Sequence, residues 1–212
     1  MSIGLKILDS DRVIEKRILE AIARHFDKVF NSLVPILQKK VPEFTRDFFR
    51  GTDTFHELIR GDLKGHFGFK TTSKPEIIVD LISEDFEIIK KPVKVRRKQF
   101  VGGIDIKLVR SGFKNILESD AASIITEKDD ILDWLDWLLT KGFEIIIDTH
   151  HVFFKEGVGQ SGMAIMSEGG VWRVPPPHGG TIDDNWITRT LRSKSYLSGL
   201  SSIIQNNMKR LV

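Results

Sequence analysis

Asp148, His150 and His151 stand close together in the C-terminal half of the chain, and His178 follows further on. Imidazole and carboxylate groups suit zinc, iron or manganese, so a metal-dependent hydrolase or nuclease centred on these three residues is one reading. The spacing argues against it. In an extended strand His150 and His151 point to opposite faces, so Asp148 and His150 can share a side but a third ligand must come from His178, Glu144 or further away. No HExxH or other recognised ligand spacing occurs. A polar strand end with unremarkable histidines explains the same residues. Nucleophilic chemistry has less support. Ser161 lies in Gln-Ser-Gly without the G-x-S-x-G frame of a nucleophile elbow. Asp133 and Asp136, three apart, fit the solvated face of a helix. The expectation is therefore no catalytic residue, no metal and no cofactor.

The strongest charge feature is Lys90, Lys91, Lys94, Arg96, Arg97 and Lys98. On a strand Lys94, Arg96 and Lys98 share one face and form a stripe able to touch phosphates, which makes residues 90–98 a candidate DNA-binding module. Phe100 is the one nearby aromatic, so base stacking is not indicated. The same residues also read as an edge strand kept from pairing by its charge. In FHELIRGDLKGHFGF (55–69), Gly61, Gly65 and Gly68 could suggest a phosphate cradle, but no Gly-Lys-Ser/Thr follows a strand here. Close helix packing, with Gly68 as a C-cap, is the expected role.

These residues must be positioned by a small set of elements. Asp9 or Ser10 caps a helix whose apolar positions are Ile14, Ile18, Ile22, Phe26, Val29, Leu33 and Leu37. Pro35 should kink or end it, Pro42 should end its continuation, and Glu43 to Arg50 form a second piece. Asp53 or Thr54 caps a third helix. Strands are expected at 76–82, 86–91, 91–100 and 104–109, with a turn at Gly102-Gly103. Thr126 and Asp129 have spacing like a capping box and should open a helix over 127–141, ended by Gly142. A strand-like run from Phe143 to Phe154 comes next, then a glycine-rich loop, a short apolar piece at Met163–Met166, and VWRV stopped by Pro175–Pro177. Asp184 or Asn185 caps a helix carrying WITRTL. Ser193 or Ser195 caps the last one, with Leu197, Leu200, Ile204, Met208 and Leu211 on one side. The expected fold is a single α+β domain over 1–212. A long N-terminal helical region (1–70) packs on a mixed, mostly antiparallel β-sheet within a β-rich core (71–192), and a C-terminal helix (193–212) closes it.

Composition fits this. The 212 residues are 41% hydrophobic and 29% charged, as in an ordinary globular chain. A net charge of +3 is too mild to imply nucleic-acid binding by itself. Without cysteine, disulfides and thiolate metal sites are excluded. The first residues lack the apolar core of a signal peptide, and no run approaches the roughly 18 apolar residues of a membrane span. The expected setting is a soluble protein made in a cytoplasm.

Several stretches carry a resemblance. WLDWLLTKGFEIII, QSGMAIM and GVWRVPPPHGGTIDDNWITRTL, together with FHELIRGDLKGHFGF upstream, resemble the neck or tail-completion proteins of tailed bacteriophages, a family also called virion morphogenesis proteins. The likeness runs from about residue 52 to 192 as short pieces in the right order. It implies a structural virion protein: a ring-forming homo-oligomer that completes the tail and joins it to the head, as tail terminator or head–tail connector, assembled in the host cytoplasm. Its implied partners are itself, the adjacent neck, connector or tail-tube proteins, and non-specific contact with packaged DNA, in whose channel Lys94, Arg96 and Lys98 would lie. No membrane is implied. Trp172 beside the prolines, Ile182, and Trp186 near a cap are the interface candidates. The loops 155–162 and 175–185, long, polar and rich in glycine, are expected to be mobile alone and ordered by partners.

Overall fold

The first element overturns the expected breaks. In the computed structural model, which describes residues 9–108, 113–127 and 129–211, α1 runs unbroken over Asp11–Arg50. Each internal proline forfeits a helical hydrogen bond and crowds the preceding turn, at about 3 kcal/mol. Leu33, Leu37, Val41, Thr45 and Phe49 recur every fourth residue and are fully buried. Burial of each large apolar side chain contributes roughly 1.5–3 kcal/mol, so the stripe outweighs both prolines. The buried stripe starts later than the spacing suggests: Ile18 and Ile22 are exposed, and Ala23 is the first buried position.

The chain divides into two compact units. Unit one contains Met1–Lys40, Glu87–Leu108 and Ser202–Val212. Unit two contains Val41–Phe86 and Val109–Ser201. In unit one, the early part of α1 accompanies a hairpin of β1 (Phe86–Arg96) and β2 (Gln99–Leu108). The turn is at Arg97-Lys98, with φ of 48° and 65°, and not at Gly102-Gly103. Two consecutive residues of positive φ suit the right-handed twist of a two-residue hairpin. The glycines instead lie inside β2, where a Cβ on Gly102 would come within 2.3 Å of the Pro92 carbonyl oxygen.

In unit two, α2 (Asp53–Arg60) and α3 (Asp62–Phe67) follow α1, with Thr52 as the N-cap of α2 and Gly68 closing α3 in the left-handed conformation, φ 71°. The expected strand at 76–82 is a helix, α4 (Ser73–Glu84). Its buried residues Ile78, Val79 and Ile82 follow a helical period, and Ile77 is exposed, so β-branched composition misleads there. After α5 (Lys114–Leu117), β3 (Ile124–Ile125) pairs with β4 (Ile131–Leu132), where a longer helix was expected. Thr126 Oγ1 accepts the Asp130 N–H and Asp129 has φ 64°, which makes the supposed cap a turn. Only α6 (Trp134–Leu139) remains of that helix.

The Phe143–Phe154 run is strand only as β5 (His150–Phe154), antiparallel to β6 (Ala164–Glu168); Ile147 bridges to Trp172. Asn185 caps α7 (Trp186–Arg192) in a reciprocal capping box with Thr188. Ser193 Oγ accepts the Tyr196 N–H at the start of α8 (Lys194–Met208), which also contributes residues to unit one. On α8, Tyr196 and Asn207 are the buried positions and Leu197 is half exposed. The architecture is α+β, with a long N-terminal helix and a C-terminal helix. Among the described residues the strands form three separate two-stranded antiparallel sheets and not one shared sheet. No described helix is long and apolar enough to cross a membrane.

Candidate functional site

A concavity lies in unit two, between α3 and the β5–β6 hairpin. Gly65 makes the approach possible: a Cβ there would meet the Phe154 ring at 2.7 Å. The close packing expected of this glycine is what the fold uses. Phe154 stands edge-on to the His66 ring, with centroids 5.1 Å apart. Trp172, held by its bridge to Ile147, donates its indole N–H to His66 Nδ1 at 2.9 Å. Because an indole only donates, Nδ1 must be bare, and the neutral imidazole carries its proton on Nε2. Burial pushes the His66 pKa below its ordinary value, against the opposing pull of Asp62 and Glu57. Trp137 meets Trp172 edge-on at 5.5 Å and extends the aromatic wall.

The result is a cleft of about 430 Å³, walled by Trp137, Trp172, Val152 and Met166, with Glu127 and Asp130 in its lining. Gln160 comes from the 155–162 loop and donates to the Gly68 carbonyl at 2.7 Å. Its Oε1 is buried without a hydrogen-bond partner. A buried acceptor left bare is costly, and an incoming N–H donor would relieve it. The lining thus pairs an apolar wall with the carboxylates of Glu127 and Asp130. The sequence offered one sign of it, Gly65 in the glycine-spaced stretch. The partner residues, about sixty or more positions away, had no local signal.

The structure does not bring the histidines into a metal centre. His150 lines the cleft and shares a hydrogen bond with Thr149 Oγ1 at 2.9 Å, while His151 donates from Nδ1 to the Gly169 carbonyl at 2.6 Å. Asp148 is exposed. His178 pairs with Thr54 Oγ1 at 3.1 Å, and burial lowers its pKa. Among the described residues no group of three His, Cys, Asp or Glu side chains could hold a metal ion.

The basic stripe is only partly formed. Lys94 and Arg96 are exposed on the β1 face opposite Val93 and Val95. Lys98, also exposed, leaves the stripe to pair with Glu15 at 2.7 Å. Lys90 reaches Asp27 and Asn31, and Lys91 pairs with Asp105. The Asp27 carboxyl is held below the usual range by its Lys90 hydrogen bond and the Val93 N–H.

Of the interface candidates, Trp172 and Trp186 belong to the core, 4% and 3% exposed. Trp186 donates to Thr52 Oγ1 at 3.0 Å, so both indoles are satisfied within the chain. Ile182 is exposed. Exposed apolar residues in unit two also include Phe153 and its cross-strand partner Ile165 on β5–β6, Ile125 and Ile131 on β3–β4, and Phe143, Ile145 and Val171. The two glycine-rich loops are tied down by backbone hydrogen bonds. Lys155 N–H donates to Met163 O and Gly157 N–H to Gly162 O, while Gly142 N–H donates to Gly180 O. Comparison with protein-family models, with curated proteins and with solved structures finds no match.

Proposed function

We propose that this chain is a structural subunit of a tailed-bacteriophage neck, a ring-forming protein that completes the tail and joins it to the head. The observation that carries the reading is the exposed apolar surface on both short hairpins of unit two. Ile125 and Ile131 are 64% and 67% exposed as cross-strand partners, and Phe153 and Ile165 are 50% and 41% exposed as another such pair. Two-stranded sheets with apolar side chains facing water are marginal alone and gain from a neighbour that covers them and pairs with their edges. This is the demand of an assembling subunit. The resemblance of residues 52–192 to tail-completion proteins names the assembly.

In this role the partners are other copies of the chain and the proteins above and below in the neck, and the location is the virion. The hydrolase reading has no converging ligand set among the described residues to support it. A DNA contact would have Lys94 and Arg96 as its aligned, unpaired cations. Neutralising so few phosphates gives weak, salt-labile binding. The proposal therefore rests on protein contacts. Gold-labelled antibody against the chain, applied to purified phage particles that contain it, should mark the head–tail junction. Label along the tail shaft or on the capsid, or particles that lack the chain, would overturn the reading.

A further inference from the structure

Unit one and unit two each leave a surface without a partner, and the two match in character. On the β1–β2 hairpin, ion pairs occupy Lys90, Lys91 and Lys98, whereas no acid among the described residues meets Lys94, Arg96 or Arg97. Beside these cations Val101 is 48% exposed, while Phe100 turns the other way and packs edge-on against Phe26, with ring centroids 5.9 Å apart. On unit two Glu127 and Asp130 belong to the cleft lining, and with Asp129 they are exposed and meet no described cation. The sequence of the 126–130 turn, TEKDD, carries three acids against one lysine. Ile125 and Ile131 flank it, exposed.

We propose that the β1–β2 hairpin of one copy docks into the unit-two cleft of the next, its cations against Glu127 and Asp130 and Val101 against the apolar wall. The inference rests on the ring reading above and names the contact that would build the ring. Hairpin and cleft are different patches, so the contact is head-to-tail, the class that closes into rings when the rotation allows. The hairpin brings positive charge to the acids of the cleft and an apolar side chain to its wall. A phosphate backbone would use the cations and leave the exposed Val101 uncovered.

The absence of cysteine gives a clean test, since every introduced thiol is unique. Gln99→Cys protein mixed with Ile165→Cys protein should cross-link through a short bismaleimide into a mixed dimer. Gln99→Cys mixed with Ser195→Cys, outside the cleft lining, should not. Mixing two singly substituted chains makes the link intermolecular by construction. In parallel, reversing the hairpin charges (Lys94→Glu with Arg96→Glu) should raise the concentration needed for self-association about tenfold or more, as should reversing the cleft (Glu127→Lys with Asp130→Lys). The chain carrying both reversals should recover to within about threefold of the wild type. Rings that form equally well in all variants, without the selective cross-link, overturn the hairpin–cleft contact and leave the ring reading standing. A wild type that never self-associates overturns both. Assembly unaffected by the hairpin reversal, with loss of salt-dependent binding to a duplex DNA probe, overturns the contact and assigns the hairpin to DNA.

Discussion

Replacing Gly142 by alanine should pry the 175–185 loop from the core of unit two. Gly142 lies directly against Gly179 and Gly180. A Cβ added there would stand 2.2 Å from the Gly180 nitrogen, 2.3 Å from the Gly179 Cα and 2.6 Å from the Gly179 carbonyl carbon, where ordinary contact is 3.4–4 Å. All three atoms are backbone, so no side chain can rotate away. The loop must retreat by about 1 Å, enough to spoil the Gly142 N–H to Gly180 O hydrogen bond, now 3.0 Å. Overpacking of this kind costs about 1–3 kcal/mol. The lost hydrogen bond adds about 0.5–1.5 kcal/mol, for a combined loss of roughly 2–4 kcal/mol. For a chain of this size each kcal/mol moves the melting temperature by about 2–4 °C, so a fall of roughly 4–16 °C is expected. Thermal unfolding followed by circular dichroism measures it, and limited proteolysis should show new cleavage within 175–185. A variant that melts within about 2 °C of the wild type, with an unchanged digestion pattern, would refute the claim that this backbone contact holds the loop.

Other perturbations follow from the same structure. Thr45 and Tyr196 share a buried hydroxyl pair at 2.8 Å. Thr45→Val should therefore cost about 1–3 kcal/mol by stranding the phenol, while Thr45→Val combined with Tyr196→Phe should cost less than the two single changes added together. Denaturant unfolding of the four proteins reads this cycle, and strict additivity would contradict it. His66, whose folded pKa burial holds below the ordinary 6.5, makes the unfolded chain the better proton acceptor. Stability should thus be full above pH 6.5, fall as the pH drops below it, and level off once the folded imidazole is itself protonated. His178 acts with the same sign, also through burial. His66→Gln should remove part of the slope of unfolding free energy between about pH 8 and pH 5, and an unchanged slope would count against a buried neutral His66. Asn185→Ala should lose about 1–2 kcal/mol through the capping box of α7, read from the denaturant midpoint; a change within experimental error would mean that the cap is not holding the helix.

The readable parts of the sequence were those fixed by local chemistry. Asn185 before WITRTL, Ser193 before the last helix and Gly68 after α3 declare themselves because a cap needs only its own neighbours. The β1–β2 region was legible as strand, but its turn lies at Arg97-Lys98 and not at Gly102-Gly103, and burial along β2 does not alternate. Misreadings came where distant burial overrode local signals. Pro35 and Pro42 mark a break by any local rule, and a continuous buried stripe on α1 removes it. Ile77, Ile78 and Val79 suggest a strand by composition, while the helix is set by which of them is buried. Trp172 and Trp186 sit among loop-forming residues, yet His66 and Thr52, each more than one hundred positions away, receive their indole N–H groups. The cleft escaped for that reason. Its walls come from α3, α6, β5, β6 and the 155–162 loop, and only the folded chain brings Gly65, Phe154 and Gln160 together.

Assembly is the central claim, and the oligomeric state of the purified full chain tests it most directly. Sedimentation velocity over a wide concentration range, with negative-stain images of the same sample, should show one large species of fixed stoichiometry that is a closed ring. A single monomeric species at every concentration, with no rings in the images, would contradict the account.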